Sequence, residues 1–275
     1  MDLNALLAGL PPTVAATLRT GADVERAEHE RFRGTSLGAW RETSLGPLDT
    51  LLGGGLKRAA LTEIWGPRSS GRLAIGLAVL AAATGAGESA AWIDLGAGLD
   101  PQAARAAGVV LERVLWALPR TVGEALTAAE IVTTVGLGLV VIDLGLADAR
   151  AVAARVHEAP WARIAQAAGA HGSALLVLSP ARASGSGAHA VVRVAAARAE
   201  WLASGVPPRL LGGLVVELRL DKRRGGFPGE SAPVAFGMPE LVEKETFAAW
   251  AIARSVKSER SEKSQRPQRW EENAS

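Results

Sequence analysis

Between a short apolar run, Leu61 to Trp65, and an Ala/Leu-rich stretch, Arg72 to Thr84, lies the segment Gly66-Pro67-Arg68-Ser69-Ser70-Gly71-Arg72-Leu73. A strand, a glycine-spaced loop and a helix in that order frame a phosphate-binding loop of the pattern G-x-x-x-x-G-K-[ST]. Glycines let successive backbone N–H groups curl around a phosphate, a lysine reaches the phosphates, and a Ser/Thr hydroxyl holds magnesium. Both glycines are present as Gly66 and Gly71, but Arg72 stands at the lysine position and Leu73 at the hydroxyl position. Ala74 follows, so no neighbouring hydroxyl can replace the missing one. Arginine keeps the charge but spreads it over a planar fork, and leucine cannot ligate a metal. The frame of the loop survives while its chemistry is altered.

The other chemistry-bearing residues are sparse. Asp143 closes the run Leu139 to Asp143, where a carboxylate can hold a metal or simply accept from loop amides; both readings stand. Ser69 and Ser70 are expected to cap the following helix rather than bind phosphate. Arg72 is either a surface residue of that helix or an anion contact at its amino terminus. His29, His157, His171 and His189 show no ligand spacing, so they are expected on surfaces or in loops, and no metal site is expected. The absence of cysteine excludes disulfides, Cys-ligated zinc and a thiol nucleophile. No G-x-S-x-G nucleophile motif occurs.

The elements that must position the loop follow a strand–helix alternation. Ala90 to Asp94, Leu139 to Asp143 and Ala174 to Leu178 are short apolar runs without alternation, as in parallel strands buried on both faces. Pro101 to Ala107, Val122 to Val135 and Ala149 to Ala168 read as helices between them. Ala190 to Trp201 and Leu214 to Lys222 read as two further strands joined by a Gly/Pro loop. The expected fold is α/β, a mainly parallel sheet sandwiched by helices. The division is an N-terminal appendage at 1–42, a core at 43–238, a C-terminal helix at 239–256 and a disordered tail at 257–275. Trp65 and Trp92 are expected in the core. Phe247, Trp250 and Arg254 share one helical face, and with Trp270 they are candidate partner anchors. From Arg254 to Arg269 a base recurs every third residue with acids between, which reads as a solvated mixed-charge tail.

The 275 residues are 48% hydrophobic and 21% charged, which is globular. Bases exceed acids by only two, and a dedicated nucleic-acid binder would concentrate them in a patch. The amino terminus lacks the pattern of a signal peptide, and the apolar stretch from Leu73 to Gly87 is too short to span a bilayer, so a cytoplasmic protein without membrane contact is expected.

Several collinear segments resemble the RecA recombinase family. Thr43 to Asp49, Gly53 to Leu56 and Leu61 to Gly71 are similar to the RecA run through its phosphate loop, a RecA-like P-loop core. Trp92 to Asp94 and Leu99 to Pro101 resemble its next strand and turn, Val140 to Asp143 its Walker B strand, and Val215 to Pro228 the strand and loop after its second DNA loop. The resemblance covers roughly residues 43 to 237. It places the glutamate that activates water on Gly96, the adenine-stacking tyrosine on Ala103 and the polar sensor on Pro180, so that only Asp143 remains of the hydrolysis set. Losing one such group commonly costs on the order of 10²–10³ in rate, so a pseudo-ATPase is implied, with no cofactor expected and room only for weak ATP binding. The DNA loops map to the short segments 144–148 and 180–189, which carry one arginine and no aromatic, so direct DNA binding is expected to be weak or indirect. A degenerate loop and truncated DNA loops are similar to the ImuA family. That resemblance implies a non-catalytic accessory of the SOS response, which binds RecA and/or ImuB in translesion synthesis and damage-induced mutagenesis. The alternatives are a divergent RecA paralogue that binds or hydrolyses ATP on DNA, and a RecA-fold regulator unrelated to mutagenesis.

Overall fold

The runs Ala90–Asp94 (β4), Leu139–Asp143 (β6) and Ala174–Ser179 (β7) have every residue buried, as strands between two helix layers require. The computed structural model describes residues 39–155, 158–202 and 210–237. With β3 (Ala60–Trp65), β5 (Val114–Ala117), β8 (Ala190–Leu202), β9 (Leu210–Arg223) and β10 (Ser231–Gly237) these runs form an eight-stranded sheet in the order β10-β9-β8-β3-β7-β6-β4-β5. Strands β8, β3, β7, β6, β4 and β5 run parallel, while β9 and β10 add antiparallel at one edge. A separate two-stranded ribbon pairs β1 (Trp40–Arg41) with β2 (Leu56–Lys57).

Two apolar clusters fill the two faces of the sheet. On one face α1 (Gly46–Leu52) and α2 (Arg72–Gly85) bury Leu48, Leu52, Ile75, Val79 and Leu80 against Trp92 and Leu178. Gly76 lets α2 sit close, because a Cβ there would lie 2.6 Å from Leu178 and 2.8 Å from Trp92. On the other face α4 (Val122–Thr134) and α6 (Glu158–His171) bury Ala129, Val132, Trp161 and Ile164 against Val140, Ile142 and Val177. Two short helices, α3 (Pro101–Ala106) and α5 (Ala149–Arg155), follow β4 and β6.

The α/β architecture expected from sequence is the one observed, with several local differences. The stretch expected as one helix from Ala149 to Ala168 is two, α5 and α6. Strand β5 was not read: Val114-Leu115-Trp116-Ala117 is apolar, but it is only four residues long and half exposed at the sheet edge. Helix α1 and strand β10 were not read either. Trp40 and Arg41, counted with the appendage, join the core: Arg41 and Arg58, 5% and 4% exposed, both pair with Glu88, Arg58 at 2.7 Å. Residues 1–38, the helix at 239–256 and the tail lie outside the described residues, as do Phe247, Trp250, Arg254 and Trp270. Among the described residues, no helix is long and apolar enough to cross a membrane.

Candidate functional site

The glycine-spaced loop joins β3 to α2 at the carboxyl ends of the parallel strands, where open α/β sheets place their ligands. Gly66 N–H donates to the Ser179 carbonyl at 3.1 Å, tying the loop to β7. Pro67 leads into the turn, Ser69 takes a left-handed backbone at φ 57°, and Gly71 another at φ 90°. Gly71 is required by packing as well, since a Cβ would meet Val216 at 2.8 Å. The serines do not cap the helix: Gly71 is the cap residue of α2 and no side chain caps it. Ser70 is instead buried, with its hydroxyl unpaired within the protein.

Arg72 corrects the surface reading. It is 7% exposed, and its Nε and Nη1 have no hydrogen-bond partner in the protein. Its guanidinium lies toward Asp143: a Cβ built on Gly145 would stand 3.7 Å from Arg72 Nη1 and 2.7 Å from Asp143 Oδ1. Burial pushes the guanidinium below its ordinary value, Asp143 opposes the shift, and Arg68 adds to it. Asp143 accepts from the Gly145 N–H at 2.7 Å, the loop-amide role weighed from sequence. Burial pushes its carboxyl up to about 6, while the Gly145 hydrogen bond and Arg72 pull it down and Asp94 pushes it further up. Leu73 at the hydroxyl position is 38% exposed.

The position opposite the loop is built around Gly96. Its backbone is left-handed at φ 103°, and a Cβ there would lie 2.8 Å from Leu146 Cβ. Leu146 belongs to the short connection after β6, and its carbonyl accepts from Arg68 Nη2 at 2.9 Å, so Arg68 holds that connection over Gly96. Sequence reasoning missed the organiser of this region, Asp94. It is 1% exposed and accepts from Gly98 N–H at 2.8 Å, Leu99 N–H at 3.0 Å and Trp116 Nε1 at 3.1 Å. Beside Gly96 lies a cavity of about 540 Å³, walled by Asp94, Leu118, Arg120, Thr121, Leu146 and Ala151 among others. Ala103 is exposed on α3, and Pro180 follows β7 without a polar side chain.

Glu63 is a second missed organiser. It lies on β3 with no exposure, and its carboxylate accepts from Ser179 Oγ at 2.9 Å, Ala183 N–H at 2.6 Å and Ser184 N–H at 3.1 Å, and also from Ser184 Oγ. The segment 180–189 is therefore pinned to the sheet from inside. His189 lies in the loop before β8, as expected, but it is 9% exposed and packs on Trp40 with ring centroids 5.9 Å apart. Trp92 is in the core as expected, whereas Trp65 is half-buried, donates to Asp221 at 3.0 Å and carries Arg193 over its ring. Among the described residues, no group of three His, Cys, Asp or Glu could hold a metal.

Comparison with known proteins gives this geometry its setting. The family model of the RecA N-terminal domain matches residues 34–160. Protein RecA of Clostridium acetobutylicum is 42% identical over 98 residues, which is 35% of this chain and 28% of that protein. Protein RecA of Trichodesmium erythraeum is 33% identical over 132 residues, 48% of this chain and 36% of that protein. These matches thus span about a third of the curated relatives' length. A crystal structure of the RadB recombinase matches with a TM-score of 0.52 at 20% identity, over 70% of this chain and 94% of that one. The fold is RecA-like, and the match to the RecA N-terminal domain lies in the part of the chain that carries the glycine-spaced loop.

Proposed function

We propose that this chain is a non-catalytic, RecA-like accessory protein of the DNA-damage response. It acts by contact with RecA, with ImuB, or with both during error-prone translesion synthesis. The observation that carries the reading is the seat of Gly96 under Leu146. The position where the family resemblance puts a water-activating carboxylate has a left-handed backbone and is packed at 2.8 Å in the Cβ direction. A magnesium nucleotide does not suit the residues facing it. Leu73 offers no oxygen, and the buried Arg72 guanidinium is turned toward Asp143. Filament-type DNA contact is disfavoured for a parallel reason. The connection after β6 is held by Arg68, and Glu63 pins the segment 180–189, whereas a mobile strand-binding loop needs freedom.

A core that has two filled apolar faces can hold without a ligand and serve as a scaffold. The sequence supplies aromatic anchors beyond that core, Phe247, Trp250 and Trp270, with Arg254 beside them. Losing one buried aromatic anchor commonly costs about 2 kcal/mol or more, a tenfold or larger change in affinity. Co-purification of the full-length chain with RecA and with ImuB tests the role. At least one partner is expected to be retained and to be lost or weakened tenfold by Trp250→Ala. Retention of neither partner by the full-length chain would refute the accessory reading.

A further inference from the structure

Large apolar side chains gather at the rim of the cavity beside Gly96, on the connections that leave β4, β5 and β6. Leu118, after β5, is 58% exposed and Leu146, after β6, is 46% exposed, and both line the cavity. Trp116 lies beside them, since its Nε1 donates to Asp94, a wall residue, at 3.1 Å. Leu146 is fixed in place: Arg68 donates to its carbonyl at 2.9 Å, and its side chain fills the space where Gly96 and Gly98 lack a Cβ. The rim is therefore a fixed apolar surface left open to solvent.

One positive charge is set in that surface. Arg120 lines the cavity and is exposed, and among the described residues no carboxylate pairs with its guanidinium. The acid nearest to it in sequence, Glu124, accepts instead from the Arg120 backbone N–H at 2.9 Å. Asp94, the acid in the wall, is taken up by Gly98, Leu99 and Trp116. Helix α4 begins at the cavity with Thr121 as its cap residue, so its amino terminus adds positive potential beside Arg120. A small polar ligand finds little to orient it, because none of the buried unpaired polar atoms among the described residues belongs to a wall residue. An exposed apolar rim around one arginine suits a peptide segment that carries a bulky apolar side chain and acids.

The chain carries such a segment itself. Of Phe32, Phe247, Trp250 and Trp270, the aromatics outside the described residues, only Trp270 is followed at once by acids, Glu271 and Glu272. Trp270 comes 33 residues after Gly237, the last residue of β10. From β10 to β5 the eight-stranded sheet is roughly 34 Å across at about 4.8 Å per strand, whereas a chain of that length can span up to about 110 Å. We infer that the cavity beside Gly96 is the docking site of this chain's own segment Trp270-Glu271-Glu272. The indole seats between Leu118 and Leu146, and the two carboxylates face Arg120 and the amino terminus of α4. Tethering raises the effective concentration to the order of millimolar, so even an intrinsically weak contact stays made. Trp270 is then held by the chain itself, and a protein that needs it must compete for it. The contact requires neither RecA nor ImuB, so its test is separate from that of the accessory reading.

Fluorine NMR of the full-length chain carrying 5-fluorotryptophan tests the site, with the Trp270 signal assigned by its loss in Trp270→Phe. A synthetic peptide of residues 262–275, labelled in the same way, gives the position of the undocked indole. In the wild-type chain the Trp270 signal is expected to be broadened and displaced from that position. Leu118→Asp is expected to lower the docked-to-free ratio about tenfold or more, moving the signal toward the peptide position. Arg120→Ala is expected to weaken docking several-fold, and to have no further effect where Glu271→Gln/Glu272→Gln has already removed the acids. Melting midpoints should be unchanged, because Leu118 and Arg120 lie outside both apolar clusters. The proposal is overturned if the wild-type signal sits at the peptide position, or if Leu118→Asp leaves it where it was. It is overturned as well if Arg120→Ala acts equally with and without the two acids. A displacement that fades on dilution would also overturn it, and would assign the cavity to a second copy of the chain.

Discussion

Replacing Asp143 by Asn should make the protein more stable at neutral pH. The Asp143 carboxyl is 8% exposed, and burial raises its pKa from 3.8 to about 6 in spite of the Gly145 amide and Arg72. A raised carboxyl pKa means that the folded state favours the protonated form. Folding then carries a cost that is absent below about pH 3.8, grows as pH rises, and is complete above about pH 6. The shift of about two units at 1.36 kcal/mol each gives a penalty of about 3 kcal/mol at pH 7.5 and about 1 kcal/mol at pH 4.5. Asparagine has the size of the protonated acid and can still accept from the Gly145 N–H, so Asp143→Asn should recover most of that difference. Urea unfolding followed at both pH values measures it, and in melting it corresponds to roughly 2–4 °C per kcal/mol. A variant less stable than wild type at pH 7.5 would refute the reasoning. A stability gain that does not shrink between pH 7.5 and pH 4.5 would refute it as well.

Two further substitutions probe the frame around the site. Glu63→Ala should cost about 2–4 kcal/mol, because Ala183 N–H and the Ser184 donors lose a buried acceptor; limited proteolysis should then cut within 180–189, and an uncut segment at unchanged stability would count against the clamp. Gly76→Ala should destabilise by about 1–3 kcal/mol, because the new methyl would meet Leu178 at 2.6 Å and Trp92 at 2.8 Å; denaturant midpoints of the two proteins compare this directly.

The parallel strands were legible because burial on both faces leaves a signature that needs no partner to interpret. Leu139 to Asp143 is apolar until its last residue, and it is the strand observed. Strand β5 was not legible although Val114 to Ala117 is apolar, because a four-residue run is too short to tell a strand from part of a helix or loop. The departure of Arg72 and Leu73 from the G-x-x-x-x-G-K-[ST] pattern could be read directly, since residue types define that pattern. The inward turn of Arg72 could not be read, because a charged residue at a helix start is most often solvated, and only the packing of α2 on the sheet buries it. Glu63 and Asp94 escaped notice for a related reason. A buried carboxylate is recognised by the amides that converge on it, and the partners of Glu63 lie 116 to 121 residues away.

The central claim is that the altered loop does not turn over ATP, and a phosphate-release assay tests it most directly. The full-length chain is measured with magnesium and ATP, with and without single-stranded DNA, beside Asp143→Ala. No release above the level of Asp143→Ala is expected, and millimolar ATP–magnesium should leave the melting midpoint unmoved. DNA-stimulated, magnesium-dependent release that disappears in Asp143→Ala would contradict the account and point to a working, divergent RecA paralogue.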